Sequence, residues 1–239
     1  MRVWSVTFGE LEAALAEMHD VAASKRTAFQ ARLKNFHRLA FPPEFEAVKG
    51  RAAQYTPAQA YEMALAVELT QLGLPPDRAT TVLSWNRFET TMAARMATDT
   101  LASLGSSAGA PLQMFIYFDP NALSPLTNRP DDSVSVDAES FFYGGADVIA
   151  EYLRLFEPGT SPRLSMVNVT SMLAAFDAAL PVGYLAALSS WTREVDELEY
   201  GNVDYAIARL KEARRHGLKS EAYKLALTEL IETSNGRHS

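Results

Sequence analysis

The densest set of side chains able to do chemistry lies between Lys25 and Tyr55. Lys25, Arg26, Arg32, Lys34, Arg38, Lys49 and Arg51 supply positive charge there, and Thr27, Gln30, Asn35 and Tyr55 add hydroxyl and amide groups. Guanidinium and ammonium groups donate hydrogen bonds to phosphate oxygens, and a carboxamide can offer a donor and an acceptor together to an adenine edge. Across residues 21–60, seven basic residues stand against Glu44 and Glu46, a local balance of +5, whereas residues 109–184 hold three basic residues and nine acids, a balance of −6. A net charge of −7 for the whole chain argues against indiscriminate binding to polyanions. A basic block inside an acidic chain is nonetheless the footprint of a confined polyanion site whose surroundings repel the same ligand. An ordinary solvated helix face has the same composition, so the pattern takes its meaning from the elements that carry it.

Other residues offer less. His19, His37, His216 and His238 are scattered, and the chain has no cysteine, which removes thiolate metal sites, cysteine nucleophiles and disulfides together. Asp131, Asp132, Asp137 and Glu139 could hold a hard cation or serve acid/base chemistry, and they also read as a solvated loop. Gly144-Gly145 after Phe141-Phe142-Tyr143 suggests a turn or a backbone approach to a ligand, without the spacing of a phosphate loop. No nucleophile elbow or spaced histidine pair is present, so neither catalysis nor a cofactor or metal is expected. The longest apolar runs fall short of a membrane helix and the first residues lack an apolar signal segment, so a cytoplasmic protein is expected.

The elements that must position the basic block are marked by caps. Thr7 with Glu10 forms a capping-box pattern for a first helix with Leu11, Leu15 and Met18 on its apolar face. Ser24 can cap a second helix running to about Leu39, with Phe29, Leu33, Phe36 and Ala40 as its stripe. The opposite face carries Thr27, Ala31, Lys34 and Arg38, flanked by Gln30 and Asn35, with Arg26 and Arg32 at its margins. Lys49-Gly50-Arg51 then permits a tight turn, and with it a small hairpin or wing. Thr56-Pro57-Ala58-Gln59 opens a third helix that stops at Gly73, and Pro75-Pro76-Asp77 opens a fourth whose stripe continues through Leu83, Trp85, Phe88, Met92 and Met96 as a core or dimer seam. Residues 6–83 read as closing on themselves, which predicts that a fragment ending near Ser103 folds. Beyond Gly105–Gly109, strands are expected over Leu112–Phe118, Ser133–Val136 and Leu164–Val169, helices over Ala146–Phe156 and Ser171–Leu180, and more helices from Leu185, with caps at Asn202 and Ser220.

The order of these features resembles the DNA-binding domain of the MerR family of bacterial transcription regulators. Val6-Thr7-Phe8-Gly9-Glu10-Leu11 is similar to that family's opening stretch, Phe41-Pro42-Pro43 to its turn into the wing, Gly50-Arg51-Ala52-Ala53-Gln54-Tyr55 to its wing exit, and Gln71 to Ala79 to the segment joining its third and fourth helices. The stretch Glu17–Ala23 is longer than the family's turn, and Phe29 and Phe36 stand where the family has paired tyrosines. The residue patterns themselves lead us to expect a linker or dimerisation helix over 84–108, a small α/β or α+β effector domain over 109–184 and a helical segment over 185–239, in a mainly helical chain of mixed class; the resemblance implies a winged helix-turn-helix over 1–83. It implies a homodimer on double-stranded DNA, with Gln30, Asn35, Lys34 and Arg38 reaching bases or phosphates, Lys49 and Arg51 meeting phosphate, and RNA polymerase or a small-molecule effector as further partners. An interaction adaptor using the same module, or an enzyme in the α/β region, are the competing readings.

Overall fold

The computed structural model describes residues 4–45, 53–104, 113–118, 141–154 and 164–195. Helix α1 (Phe8–Met18) starts at the predicted capping box: the Thr7 hydroxyl accepts from the Glu10 amide at 3.3 Å, and the Glu10 carboxylate accepts from the Thr7 amide at 2.7 Å. Thr56 and Gln59 do the same for a later helix, α3 (Pro57–Gln71), at 3.3 and 3.1 Å. Between them lies α2 (Arg26–Arg38), entered through a short 3-10 turn, Ala23–Lys25. The expected Ser24 cap is not made, because that turn places Lys25 at the N-cap and no side chain bonds there.

All three helices end in one geometry. The residue after the C-cap takes a positive φ, 49° at Asp20, 55° at Ala40 and 95° at Gly73. The next amide then reaches back to an orphaned carbonyl: Val21 to Ala16, Phe41 to Phe36, Leu74 to Leu69. Only the third uses glycine, the residue that enters this region without steric cost. Ala40 therefore ends α2 on an exposed left-handed residue rather than extending its apolar stripe.

Strand β1 (Val6–Thr7) pairs antiparallel with β2 (Gln54–Tyr55), Val6 opposite Tyr55. A hairpin through Lys49-Gly50-Arg51 falls outside the described residues. Helix α3 is buried almost all round, from Ala60 through Val67, and so forms the centre of the packing rather than an amphipathic surface helix. Helix α4 (Pro76–Trp85) and α5 (Arg87–Ser103) are separated at fully buried Asn86. The expected stripe of large residues is not the buried face of α5. That face consists of Thr90, Thr91, Ala93, Ala94, Ala97 and Thr98, while Trp85 is 54% and Met96 38% exposed. Small side chains let α5 approach its neighbours closely, and it packs on α7 (Val169–Ala179) and on β4 (Phe141–Gly144) within the chain.

The second sheet has the order β4-β3-β5, antiparallel throughout, with β3 at Phe115–Phe118 and β5 at Ser165–Asn168. Strand β4 occupies Phe141-Phe142-Tyr143-Gly144, a strand that the sequence reading, with its turn or ligand approach at Gly144-Gly145, does not include. Gly144 serves a close approach of a helix: a Cβ there would lie 2.8 Å from Val148 of α6 (Ala146–Arg154). The strand expected over Ser133–Val136 lies outside the described residues, as does the stretch after α8 (Tyr184–Val195) for which further helices are expected.

The chain divides into two compact units, residues 1–192 and 193–239, and only Arg193–Val195 of the second are described. Within the first, one hydrophobic cluster runs from Val6 to Leu188 and includes Leu11, Leu65, Ile116 and Phe176. Segments expected as separate units over 1–83, 84–108 and 109–184 thus share a core, and α1 itself packs on α7. Cutting after Ser103 would expose the sides of α1 and α5 that α7 covers, so the fragment expected to fold alone lacks part of its own core.

Candidate nucleic-acid interface

Helix α2 is built as the sequence pattern requires. Phe29, Leu33 and Phe36 are buried, fixing one side against the core. The other side presents Thr27, Ala31, Arg32, Lys34 and Arg38 to solvent, with Lys25 exposed just before the helix and Gln30 and Asn35 half-buried at its edges. Among the described residues no ion pair joins Lys25, Arg32, Lys34 or Arg38 to an acid. The Lys34 ammonium stands 5.9 Å from the centroid of the Phe8 ring, a cation-π placement that leaves its remaining donors to solvent.

Two residues expected at this surface belong elsewhere. Arg26 is turned onto α1, where its Nε and Nη2 both donate to the Glu12 carboxylate at 2.7 Å. Glu12 is 5% exposed, and this two-pronged bond holds the first turn of α2 against α1. Tyr55 is fully buried, and its hydroxyl lies 2.6 Å from His37 Nε2. Lys49 and Arg51 lie outside the described residues, as do Asp131, Asp132, Asp137 and Glu139. The described residues hold no group of three histidine or acidic side chains arranged to bind a metal ion.

Several residues that the sequence pattern does not single out shape this region. His37 follows Leu33 by one helical turn, at the edge of the buried stripe, and that spacing is the available signal. Its ring stacks on Phe45 with centroids 4.8 Å apart and meets Phe8 edge-on at 5.8 Å. Burial, and after it the nearby Lys34 charge, hold its pKa below the ordinary histidine value. Farther off, the Glu62 carboxylate of α3 is 9% exposed and faces Arg87 Nε at 3.4 Å, while Arg87 also reaches Glu44 at 3.7 Å. Burial pushes the Glu62 pKa up to about 7 against the opposing pull of Arg87.

No family model, curated protein or solved structure matches this chain. The likeness to the MerR family accordingly rests on the motifs of residues 6–83 alone. No described helix is long and apolar enough to cross a membrane.

Proposed function

We propose that the chain is a sequence-specific DNA-binding transcription regulator that lays α2 in the major groove of double-stranded DNA and acts as a cytoplasmic homodimer. The observation that supports this most is α2 itself: a helix braced by the Arg26–Glu12 bond and three buried side chains, with exposed cations that no described acid neutralises. An acid-free basic face on a rigid helix suits phosphate and base contacts, and the acidic balance of residues 109–184 keeps DNA off the other half. Lys25, Arg32, Lys34 and Arg38 take phosphates, and Gln30 and Asn35 read base edges. A single helix of 13 residues covers few base pairs. Two-fold pairing doubles the site, with half-sites spaced by about 34 Å or a multiple of it. The acidic half then receives an effector or the transcription machinery.

The test uses the full chain and DNA recovered from a random pool by repeated retention and sequencing. Binding should weaken linearly on a log-log plot as salt rises, and Arg32→Ala with Arg38→Ala should flatten the slope by about 0.9 for each phosphate no longer neutralised. Gln30→Ala or Asn35→Ala should leave that slope in place and narrow the gap between selected and random DNA by about 1 to 3 kcal/mol. Light scattering should find a dimer. A chain inert toward duplex DNA at low salt, or an Arg32 and Arg38 double variant that binds with unchanged slope, overturns the reading.

A further inference from the structure

The four exposed cations of α2 are not spread evenly round the helix. At about 100° per residue, Lys25 and Arg32 fall within about 20° of one another and Lys34 and Arg38 within about 40°, and the two pairs stand about 150° apart. Among the described residues none of the four meets an acid. The arc on the far side of the helix is closed, since it holds buried Phe29, Leu33 and Phe36, and Arg26, which turns inward to Glu12. Between the two pairs, on the open side, lie exposed Ala28 and Ala31 and half-buried Asn35. Resting on the DNA-binding reading above, we propose that α2 is a two-edged clamp: Lys25 and Arg32 take phosphates of one strand of a B-form duplex, and Lys34 and Arg38 take phosphates of the other.

An α-helix with its side chains is about 10 to 12 Å across and the B-form major groove is about 12 Å wide, so a helix lying in that groove sets one edge against each wall. Each wall is the backbone of one strand. Cations gathered on one edge would serve a lone strand, whereas cations on two edges call for phosphates on both sides at once. The alanines between the edges suit that depth, because short side chains let the helix approach the base edges. One edge is backed from outside the helix: the Lys34 ammonium stands 5.9 Å from the centroid of the half-buried Phe8 ring of α1, which keeps it to its own side. The major groove of an A-form RNA duplex is deep and too narrow to be read by side chains, so the clamp does not fit duplex RNA. A single strand offers one row of phosphates and fills one edge.

The experiment maps each edge onto a strand. In a duplex recovered by the selection above, phosphates are replaced one at a time, on either strand, by uncharged methylphosphonates, and binding of the full chain is read by fluorescence anisotropy. Neutralising a contacted phosphate should weaken binding by the unsubstituted chain about three- to tenfold, with sensitive positions on both strands of each half-site. Within a half-site, Lys25→Ala with Arg32→Ala should lose the sensitivity of one strand and keep that of the other, and Lys34→Ala with Arg38→Ala should do the reverse. The isolated strands of that duplex, and the same sequence as duplex RNA, should each bind about tenfold or more weakly than the duplex DNA. All four side chains are exposed, so thermal melts of both paired variants should match the parent's, and glutamine at the same positions replaces alanine if a melt falls. Both pairs reporting on one strand of a half-site, sensitive phosphates confined to that strand, or a single strand bound as tightly as the duplex would each overturn the clamp and leave the DNA reading standing. A chain that retains no duplex from the random pool overturns the DNA reading, and the clamp with it.

Discussion

Glu12 on α1 and Glu62 on α3 are both carboxylates on the inner side of a helix, and each faces an arginine. Glu12 receives two hydrogen bonds of 2.7 Å from Arg26, one on each oxygen. Glu62 receives one longer approach, 3.4 Å from Arg87, and its second oxygen is buried without a hydrogen-bond partner. Arg87 also divides its charge with Glu44. Arg26 satisfies both oxygens of Glu12, whereas at Glu62 a single shared cation leaves desolvation dominant and pushes the pKa up to about 7. Residue type alone thus does not decide whether a buried acid braces a fold or strains it.

The largest expected effect comes from breaking the saturated pair at its exposed end. Arg26→Ala strands the Glu12 carboxylate in the core beside α2. The effect is read as a lower denaturant midpoint with unchanged slope, because a buried carboxylate that loses both its hydrogen bonds is destabilising. Glu12→Ala should cost less, because Arg26 keeps about a third of its side-chain surface in water and can be rehydrated. If the two substitutions destabilise equally, the pair is not the asymmetric brace the geometry describes.

A middle-sized effect is expected from Glu62 as a function of pH. Its pKa is higher in the folded chain than the ordinary glutamate value of 4.5, so the stability it contributes is full below about pH 4.5 and is lost as pH rises through about 7. The loss should approach about 3 kcal/mol, less what solvent screening recovers. Glu62→Gln should flatten that part of the pH profile. Burial also raises the pKa of Glu68 and so adds a loss of the same sign, which is why the difference between the two chains isolates Glu62. A Glu62→Gln chain that loses stability over the same window as fully as its parent would show that Glu62 is ionised throughout.

Much of the local structure was legible because it is written in short range. The capping boxes at Thr7 and Thr56, the stop at Gly73 and the stripe Phe29-Leu33-Phe36 each depend on residues within a turn or two, and the structure holds them where the pattern puts them. The misreadings have a common origin in long-range packing. Arg26 and Tyr55 look like surface donors until Glu12 and His37, 14 and 18 positions away, meet them in the fold. The buried face of α5 was missed because close packing on α7 and β4 selects alanine and threonine there, which carry no hydrophobic signal, while Trp85 and Met96 point outward. Ala40 and Asp20 hide two helix ends, since neither is the residue that ordinarily marks a left-handed turn.

The smallest effect sharpens the contrast between the two pairs most finely. Glu44 is 82% exposed, and after burial its charge is what opposes Arg87 in setting the Glu62 equilibrium. Glu44→Gln should change stability near pH 7 by no more than about 0.5 kcal/mol, as expected for an exposed charge. Its sign should depend on pH. Near pH 5 Glu62 is protonated, and the substitution only removes a long surface ion pair with Arg87, a neutral or slightly unfavourable change. Near pH 8 Glu62 is ionised, and the substitution removes a repulsion and leaves Arg87 to Glu62 alone, a favourable change. The Glu62 midpoint should therefore move down in Glu44→Gln, and up in Arg87→Met, where the guanidinium that attracts it is gone. Carbon NMR of the glutamate carboxyl groups reads that midpoint directly. Added salt should shrink the Glu44→Gln shift, because an exposed charge is screened over about 8 Å at physiological ionic strength. A midpoint that stays put in Glu44→Gln at low salt would mean that Arg87 is not shared, and that the contrast with Glu12 comes from burial alone.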